Sequence, residues 1–352
     1  MKLSSVIDEL VEERGLDKAT LSSIVCEGML AAYTKKYPDL EIQVIHDKKT
    51  DSIVVTSKKI VTSSVTDSDT QISTRKALFV DKSAKEGDEL WLPFEKGIGR
   101  IEILRAKQVI ASKMRDIEAL AVYDQFKDKE GTVVYGVVHK CERNGTSIKL
   151  QDDILAFLPK SLSIPGENFT VGFTVKALLK EVLPQPKHET QLILDRSSAD
   201  FLQKLFELEV PEVFEKLVTI KNIVRKAGYK SKVMVSSNDD NIDPIGTCVG
   251  VGGARIKPIL KELGNERIDV IGWSNSIENR IKDSLKPAEI DRVELMDDSN
   301  AQVWLDSDQR SLAIGKLGQN IKLASELVGV NIHLAQGEQV SVEQDLSENI
   351  DL

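Results

Sequence analysis

The sequence contains Gly250-Val251-Gly252-Gly253 and, 65 positions later, Gly315-Lys316-Leu317-Gly318. These are two Gly-x-x-Gly loops, and glycine lets main-chain N–H groups approach a phosphate closely, while the start of the next helix favours an anion. The flanks match as well: Asp243 with Asp308, Val249 with Ile314, Ile256 with Ile321, Lys257 with Lys322, and Gly264 with Gly329. A loop repeated with its flanks predicts a duplicated module that grips a nucleic-acid backbone.

Each loop lies between two short predicted helices, inside a unit whose elements follow one order. The order is helix, strand, strand, helix, loop, helix, strand, and it occurs over residues 199–273 and again over 274–335. The opening helix of the first unit is predicted from Ala199 to Leu217. This is the element order of the bacterial (type II) KH domain, whose Gly-x-x-Gly loop clamps about four nucleotides of single-stranded RNA. We therefore predict two tandem type II KH domains, packed together because few residues separate them.

Other glycine-rich phosphate loops do not fit these residues. A P-loop requires Gly-Lys followed by Ser or Thr, which would bind magnesium, but Leu317 follows Lys316. A dinucleotide fingerprint would require glycine at Arg255 and a preceding long strand. Both loops instead join helix to helix, which favours the KH interpretation.

The charge of the chain is unevenly distributed. The net charge of −9 would oppose RNA binding if it were spread evenly, but residues 216–232 contain no acidic residue. Lys221, Arg225, Lys226 and Lys230 lie within this basic strip. The strip predicts an RNA track, and the alternative is a strand edge protected by lysines.

The candidate RNA-binding residues come from the two loops, the helices after them and the basic strip. We expect Lys316 and Lys322 to contribute charge at the second loop, and Arg255 with Lys257 at the first. Ile256 and Ile321 could support bases, although a place in the helix core is the favoured interpretation. The full set is Gly250, Val251, Gly252, Gly253, Arg255, Lys257, Gly315, Lys316, Leu317, Gly318, Lys322, Arg225, Lys226 and Lys230.

Two different patterns precede the repeated units. Residues 1–127 read as helices around a small sheet, beginning with an apolar face at Val6, Leu10 and Val11. A long helix follows Gly99 and reaches Phe126, and it either serves as a connector or partner face or only covers its own sheet. Residues 128–198 contain five short strands and a hairpin signal at Asn144-Gly145, which predicts an OB-type barrel.

The composition excludes several classes of protein. The three cysteines are far apart and form no Cys-x-x-Cys, so we expect no disulfide framework, metal site or cofactor. Acidic pairs such as Asp239-Asp240 stand in turn-like surroundings, and no catalytic constellation is evident, so we do not expect an enzyme. No stretch approaches the roughly 20 apolar residues of a membrane helix. We therefore expect a cytoplasmic protein that does not bind membranes.

The motifs resemble those of the NusA family of bacterial transcription factors along nearly the whole chain. For the amino-terminal domain the match is Ala106-Lys107-Gln108-Val109-Ile110, although Glu102-Ile103-Leu104-Arg105 departs from the small polar residues usual before it. For the first KH domain the matching stretches are Asp243-Pro244-Ile245-Gly246-Thr247-Cys248-Val249-Gly250, Gly253-Ala254-Arg255-Ile256 and Trp273-Ser274. For the second they are Leu312-Ala313-Ile314-Gly315-Lys316 and Gly318-Gln319-Asn320.

The resemblance implies a multidomain α+β chain in the domain order of that family. It implies an α/β amino-terminal domain that binds RNA polymerase (1–127), an OB-type S1 barrel (128–198), two type II KH domains (199–273 and 274–335) and a short, disordered acidic tail (336–352). It further implies a monomeric elongation factor that binds bacterial RNA polymerase, nascent single-stranded RNA and other Nus factors. Such a factor modulates pausing, intrinsic termination and antitermination.

Two other functions remain open at this point. S1 and KH modules also accompany exoribonucleases, but no segment is left over that could hold a phosphorolytic or hydrolytic core. A ribosome-associated RNA-binding protein is the second alternative. Co-purification with RNA polymerase rather than with ribosomes would separate it from the elongation factor.

Overall fold

The computed structural model describes residues 18–47, 50, 52–187 and 190–335. The chain divides into an amino-terminal body, up to Ala121, and a carboxy-terminal body, from Val122. The first predicted helix, around Val6, and the acidic tail over 336–352 lie outside the described residues. Within those described ranges, no helix combines the length and apolar character needed to cross a membrane.

The amino-terminal body combines a small sheet with helices. In the sheet, β2 pairs with β1, β3 and β4. Leu21 and Ile24 of the first helix are buried against Ile110 and Met114 of the long helix, as their helical spacing predicts. The elements are α1 (Lys18–Lys36), β1 (Ile42–Asp47), β2 (Ser52–Thr62), β3 (Gln71–Ser73), α2 (Thr74–Val80), β4 (Glu89–Pro93) and α3 (Arg100–Phe126), whose last residues belong to the carboxy-terminal body.

The carboxy-terminal body begins with five strands that close into a barrel. Their order is β5-β6-β7-β9-β8, with β7 parallel to β9 and every other pair antiparallel. The side chains of Ile148, Leu158 and Leu192 fill the interior. The strands are β5 (Val133–Cys141), β6 (Gly145–Lys149), β7 (Leu155–Pro159), β8 (Thr174–Lys187) and β9 (Thr190–Asp195).

Two repeats follow the barrel, and both have the element order predicted for them. Each has a three-stranded sheet in which the first two strands are antiparallel and the third is parallel to the second. The first repeat consists of α4 (Ala199–Glu209), α5 (Pro211–Phe214), β10 (Val218–Lys226), β11 (Lys230–Ser237), α6 (Pro244–Val249), α7 (Ile256–Leu263) and β12 (Arg267–Gly272). The second consists of α8 (Ile277–Ser284), β13 (Arg292–Asp297), β14 (Asn300–Trp304), α9 (Arg310–Ile314), α10 (Gln319–Val328) and β15 (Asn331–Leu334).

One local prediction was wrong. The helix predicted from Ala199 to Leu217 ends at Glu209, because Val210 is extended (φ −124°) and Pro211 has no N–H with which to continue the helix. Proline is well suited to begin the short helix α5 instead. The segment Thr74–Val80 forms the short helix α2, where buried Ala77 packs with Val61. Tertiary packing decides the structure of so short a segment.

The second repeat packs directly against the sheet of the first. Val224, Met234 and Ile271 of that sheet form one buried cluster with Leu323 and Leu327 of α10. The Asn222 side-chain amide donates a hydrogen bond of 2.9 Å to the Leu327 carbonyl across the same junction. The prediction that the two units pack together is therefore confirmed.

A buried arginine joins the barrel to the first repeat. The Arg196 side chain is 3% exposed and contacts two carboxylates, Glu167 of the barrel and Glu262 of α7. Its Nη1 lies 2.6 Å from Glu262 Oε1, and its guanidinium also lies over the Phe201 ring. Because the charge is paired on both sides, the junction is specific in orientation.

A second buried arginine organises the first repeat from within. Arg225 donates from Nε and Nη2 to the two oxygens of Glu266, each at 2.9 Å, and both side chains are at most 1% exposed. The same carboxylate accepts hydrogen bonds from the Gly228 N–H and the Ser231 hydroxyl. Glu266 thus fixes the turn between β10 and β11.

Replacing Glu266 with alanine is expected to lower the free energy of unfolding by about 3–5 kcal/mol, because Arg225 would be left buried without a counter-charge. Urea denaturation followed by circular dichroism measures the loss. Glu294→Ala is the matched control: its pair with Arg292 is exposed (49% and 68%), and its removal should cost at most about 1 kcal/mol. Equal losses in the two variants would contradict the structural role of Glu266.

Candidate nucleic-acid interface

The first glycine of each loop has a backbone conformation that other residues rarely adopt. Gly250 has φ 74° and ψ 162°, and Gly315 has φ 70° and ψ 177°. A Cβ on Gly315 would lie 2.7 Å from Asn320 Cβ and 3.1 Å from its nitrogen, and one on Gly250 would lie 3.0 Å from the Arg255 nitrogen. Glycine is required at both positions for conformational and steric reasons.

The two loops share the rest of their conformation as well. Gly253 and Gly318 donate their N–H groups to the carbonyls of Gly250 and Gly315, at 2.9 and 3.2 Å. The N–H groups of the two central residues take no part in these turn bonds. Both loops therefore form the same tight turn, and the turn's own hydrogen bonds do not use the N–H groups of its two central residues.

The central residues of both loops are exposed to solvent. Val251 is 97% exposed and Leu317 is 87% exposed. Lys316 is also exposed, and so are Lys257 and Lys322 on the helices that follow. A phosphate can thus reach each loop together with a mobile cation.

The isoleucines after the loops are core residues, as the favoured interpretation had it. Ile256 is 8% exposed and belongs to the core of the first repeat. Ile321 packs, partly buried, against the core of the second. Both anchor the helix that follows the loop, which leaves base contacts to other groups.

Arg255, which was expected to contribute charge at the first loop, is engaged by groups within the first repeat. Its Nη2 lies 2.9 Å from Glu212 Oε1, and its Nη1 donates to the Thr247 carbonyl at 2.8 Å. Burial alone would raise the pKa of Glu212, but a backbone hydrogen bond and Arg255 outweigh it and lower the pKa. The guanidinium therefore braces the end of α6 rather than reaching out from the loop.

The basic strip divides into exposed and internal cations. Lys221 and Lys226 are exposed. Arg225 is buried with Glu266, so its prediction as an RNA contact was wrong. Lys230 is 14% exposed and its ammonium group lies 2.7 Å from Asp269, so its role as an RNA contact stays a prediction. The acidic partners come from a later part of the sequence, which is why the strip looked free of acid.

A cleft lies between the two repeats and includes the second loop. It has a volume of about 580 Å³, and its lining includes Tyr229, Lys230, Arg267, Gly315 and Lys316. Sequence reasoning missed Tyr229 and Arg267. Tyr229 lies in the turn before β11 and Arg267 at the start of β12, and no local signal connects either position with the second loop, which comes much later in the sequence.

Asn320 ties the second loop to the first repeat. Its side chain is buried, and its amide donates to the carbonyls of Leu285, Leu312 and Ala313 at 3.1–3.3 Å. Its Oδ1 accepts a hydrogen bond of 3.1 Å from Lys230 Nζ, 90 positions earlier. The second loop is therefore held in a fixed position relative to the first repeat.

Cys248 is the cysteine nearest to either loop in the sequence, and it lies in the core of the first repeat. Burial raises the pKa of its thiol to about 11. The thiol remains protonated at neutral pH and is not a nucleophile there.

Gly315→Ala is expected to destabilise the protein more than Gly318→Ala. Both glycines have positive φ, but a Cβ at Gly318 would meet open space, so that variant should cost about 1 kcal/mol. Gly315→Ala adds the clash with Asn320, and we expect a total of about 2–4 kcal/mol. Urea unfolding measures both. Equal losses would mean that Asn320 moves aside and that the loop is not tightly packed.

Comparison with family models matches three parts of the chain. Residues 2–119 match the NusA N-terminal domain, residues 196–273 the NusA-like first KH domain, and residues 277–342 the NusA-like second KH domain. The solution structure of the N-terminal domain of NusA from B. subtilis is 25% identical, covers 32% of this chain and 94% of its own, and has a TM-score of 0.25.

Curated relatives match almost the full chain. The transcription termination/antitermination protein NusA of Rickettsia conorii is 35% identical over 97% of this chain and 69% of its own length. The protein of the same name from Thermus thermophilus is 33% identical over 97% of this chain and 91% of its own. With two KH domains in the same chain, these matches show that the protein belongs to the NusA family of transcription termination/antitermination factors, which are RNA-binding proteins and not enzymes.

Proposed function

We propose that the chain binds nascent single-stranded RNA through both KH loops while its amino-terminal domain binds bacterial RNA polymerase. The observation that carries the proposal is the pair of exposed Gly-x-x-Gly loops on two repeats that are packed as one platform. In this state the protein modulates pausing, intrinsic termination and antitermination, which accords with the names of its relatives.

The loops are suited to a phosphate backbone rather than to one base sequence. In the proposed complex the central N–H groups of each loop face a phosphate, and Lys316 and Lys322 add charge at the second loop. Lys257 and Lys226 are the exposed cations of the first repeat that can do the same. Phosphate contacts position the RNA without reading its bases.

The five-stranded barrel is proposed as the S1 domain. Its strand order, with the third strand parallel to the fifth, is that of an OB-type barrel. Tyr135 is 55% exposed on β5, and the Lys176 ammonium lies 5.7 Å from the centre of its ring. An exposed aromatic beside a cation supports a contact with RNA bases.

The amino-terminal body is proposed as the anchor to the polymerase. Phe79 at the end of α2 is 85% exposed, and Ile101 and Leu104 at the start of α3 are 79% and 60% exposed. Large apolar side chains in solvent suit a protein partner.

We further propose the domain limits 1–127, 128–198, 199–273, 274–335 and 336–352, a monomeric state, a cytoplasmic location and other Nus factors as partners.

In vitro transcription at a hairpin-stabilised pause tests the proposed function. With bacterial RNA polymerase, the protein is expected to lengthen the pause and to raise termination at an intrinsic terminator. The control reaction contains the polymerase alone. Unchanged pause lifetime and termination efficiency, with protein that circular dichroism shows to be folded, would overturn the proposal.

Replacing the central residues of both loops with Asp-Asp is expected to reduce RNA affinity at least about tenfold, because the carboxylates repel the phosphates and Lys316 is lost. Polymerase binding should not change, since the substitutions are far from the amino-terminal domain in the sequence. Fluorescence anisotropy with labelled RNA and co-elution with polymerase measure the two properties. Equal RNA affinity would refute the assignment of the loops as clamps.

A further inference from the structure

Leu317 stands out from the other residues of the two loops. Its φ of 55° and ψ of 28° are left-handed, and the corresponding residue of the first loop, with φ 59° and ψ 20°, is Gly252. A bulky residue in this region is an outlier, because its Cβ crowds the backbone. The second loop therefore has a side chain at a position where glycine would fold more easily.

No hydrophobic cluster among the described residues offsets this strain. Leu317 is 87% exposed and appears in no described hydrophobic cluster. Backbone strain that packing does not compensate is typical of functional sites, so it points to a ligand that contacts the strained residue.

The chemistry of the two loop tips is also arranged differently. The first loop presents an aliphatic group at its second position, Val251, and glycine at its third. The second loop presents the cation Lys316 at its second position and the aliphatic Leu317 at its third. The second tip thus combines charge with an apolar surface.

We propose that Leu317 is a specificity-determining residue that packs its side chain on the sugar or base face of an unpaired nucleotide. The phosphate next to that nucleotide lies against the loop backbone and Lys316. A duplex offers phosphates but keeps its base faces stacked, so the contact favours single-stranded over double-stranded RNA. The inference rests on the proposed RNA-binding function and adds a source of strand preference to it.

Two substitutions separate this contact from the fold of the loop. Leu317→Asn and Leu317→Gly both suit the left-handed conformation, so thermal stability should stay the same or rise. The affinity for a labelled single-stranded RNA of about 12 nucleotides, long enough for both loops, should fall about 5- to 10-fold, as for an apolar contact of this size. Affinity for the same strand annealed to its complement should not change.

Salt dependence supplies an independent readout. In single-strand binding, Lys316→Gln is expected to lower the slope of log affinity against log salt by about 0.7, because one phosphate contact is lost. Both Leu317 variants should keep the wild-type slope while losing affinity. Val65→Asn, which changes an aliphatic residue with 41% exposure in the amino-terminal body, is the control for general apolar adhesion and should bind like wild type.

The outcomes distinguish this inference from the proposed function. Single-strand affinity that is unchanged in both Leu317 variants, or lost equally for single strand and duplex, overturns the role of Leu317. If the Asp-Asp loops still abolish binding in that case, the clamp assignment stands. Failure of the wild-type protein to bind single-stranded RNA overturns both.

Discussion

The turn that lies between the barrel and the second loop depends on one buried carboxylate, that of Glu266. It accepts two hydrogen bonds from Arg225 and one each from Gly228 and Ser231. A buried carboxylate with fewer partners would be severely destabilising, so these groups hold one conformation together. The turn that they fix lies against the barrel, where a Cβ on Gly228 would be 2.8 Å from the Pro165 carbonyl. The same turn leads to Lys230, whose ammonium reaches Asn320 beside the second loop. Glu266 therefore fixes a turn that contacts the barrel on one side and leads to the second loop on the other.

Much of this fold could be predicted from the sequence because its signals are local. The glycines of both loops, the order of elements around them and the Asn144-Gly145 hairpin are each set by neighbouring residues. The roles of the cations could not be predicted in the same way. Arg225 appeared to belong to a basic surface strip, and only the fold brings Glu266, 41 positions later, next to it. Asp269 similarly forms ion pairs with Lys230 and Lys232. The pKa of Lys232 is lowered, mainly because its ammonium group is buried.

The interior position of these cations changes how the electrostatics of the molecule should be understood. The formal positive charge of the basic strip is larger than the charge that it exposes at the surface, because Arg225, Lys230 and Lys232 are paired with carboxylates inside the protein. The exposed cations near the loops, Lys257, Lys316 and Lys322, are isolated lysines on or just after a tight turn. Exposed lysines keep their hydration and mobility, so each adds a modest, salt-dependent attraction.

Weak individual contacts require a rigid arrangement if they are to act together. A flexible joint between the repeats would lose conformational entropy whenever both loops engaged one strand. The apolar junction of Val224 and Met234 with Leu323 removes that freedom before any ligand binds. An RNA held by one loop would then meet the second at a fixed separation and at a high effective concentration. If both loops engage RNA as proposed, the platform would select strands by how far they extend between the two loops, and that geometric preference would need no base-specific contact.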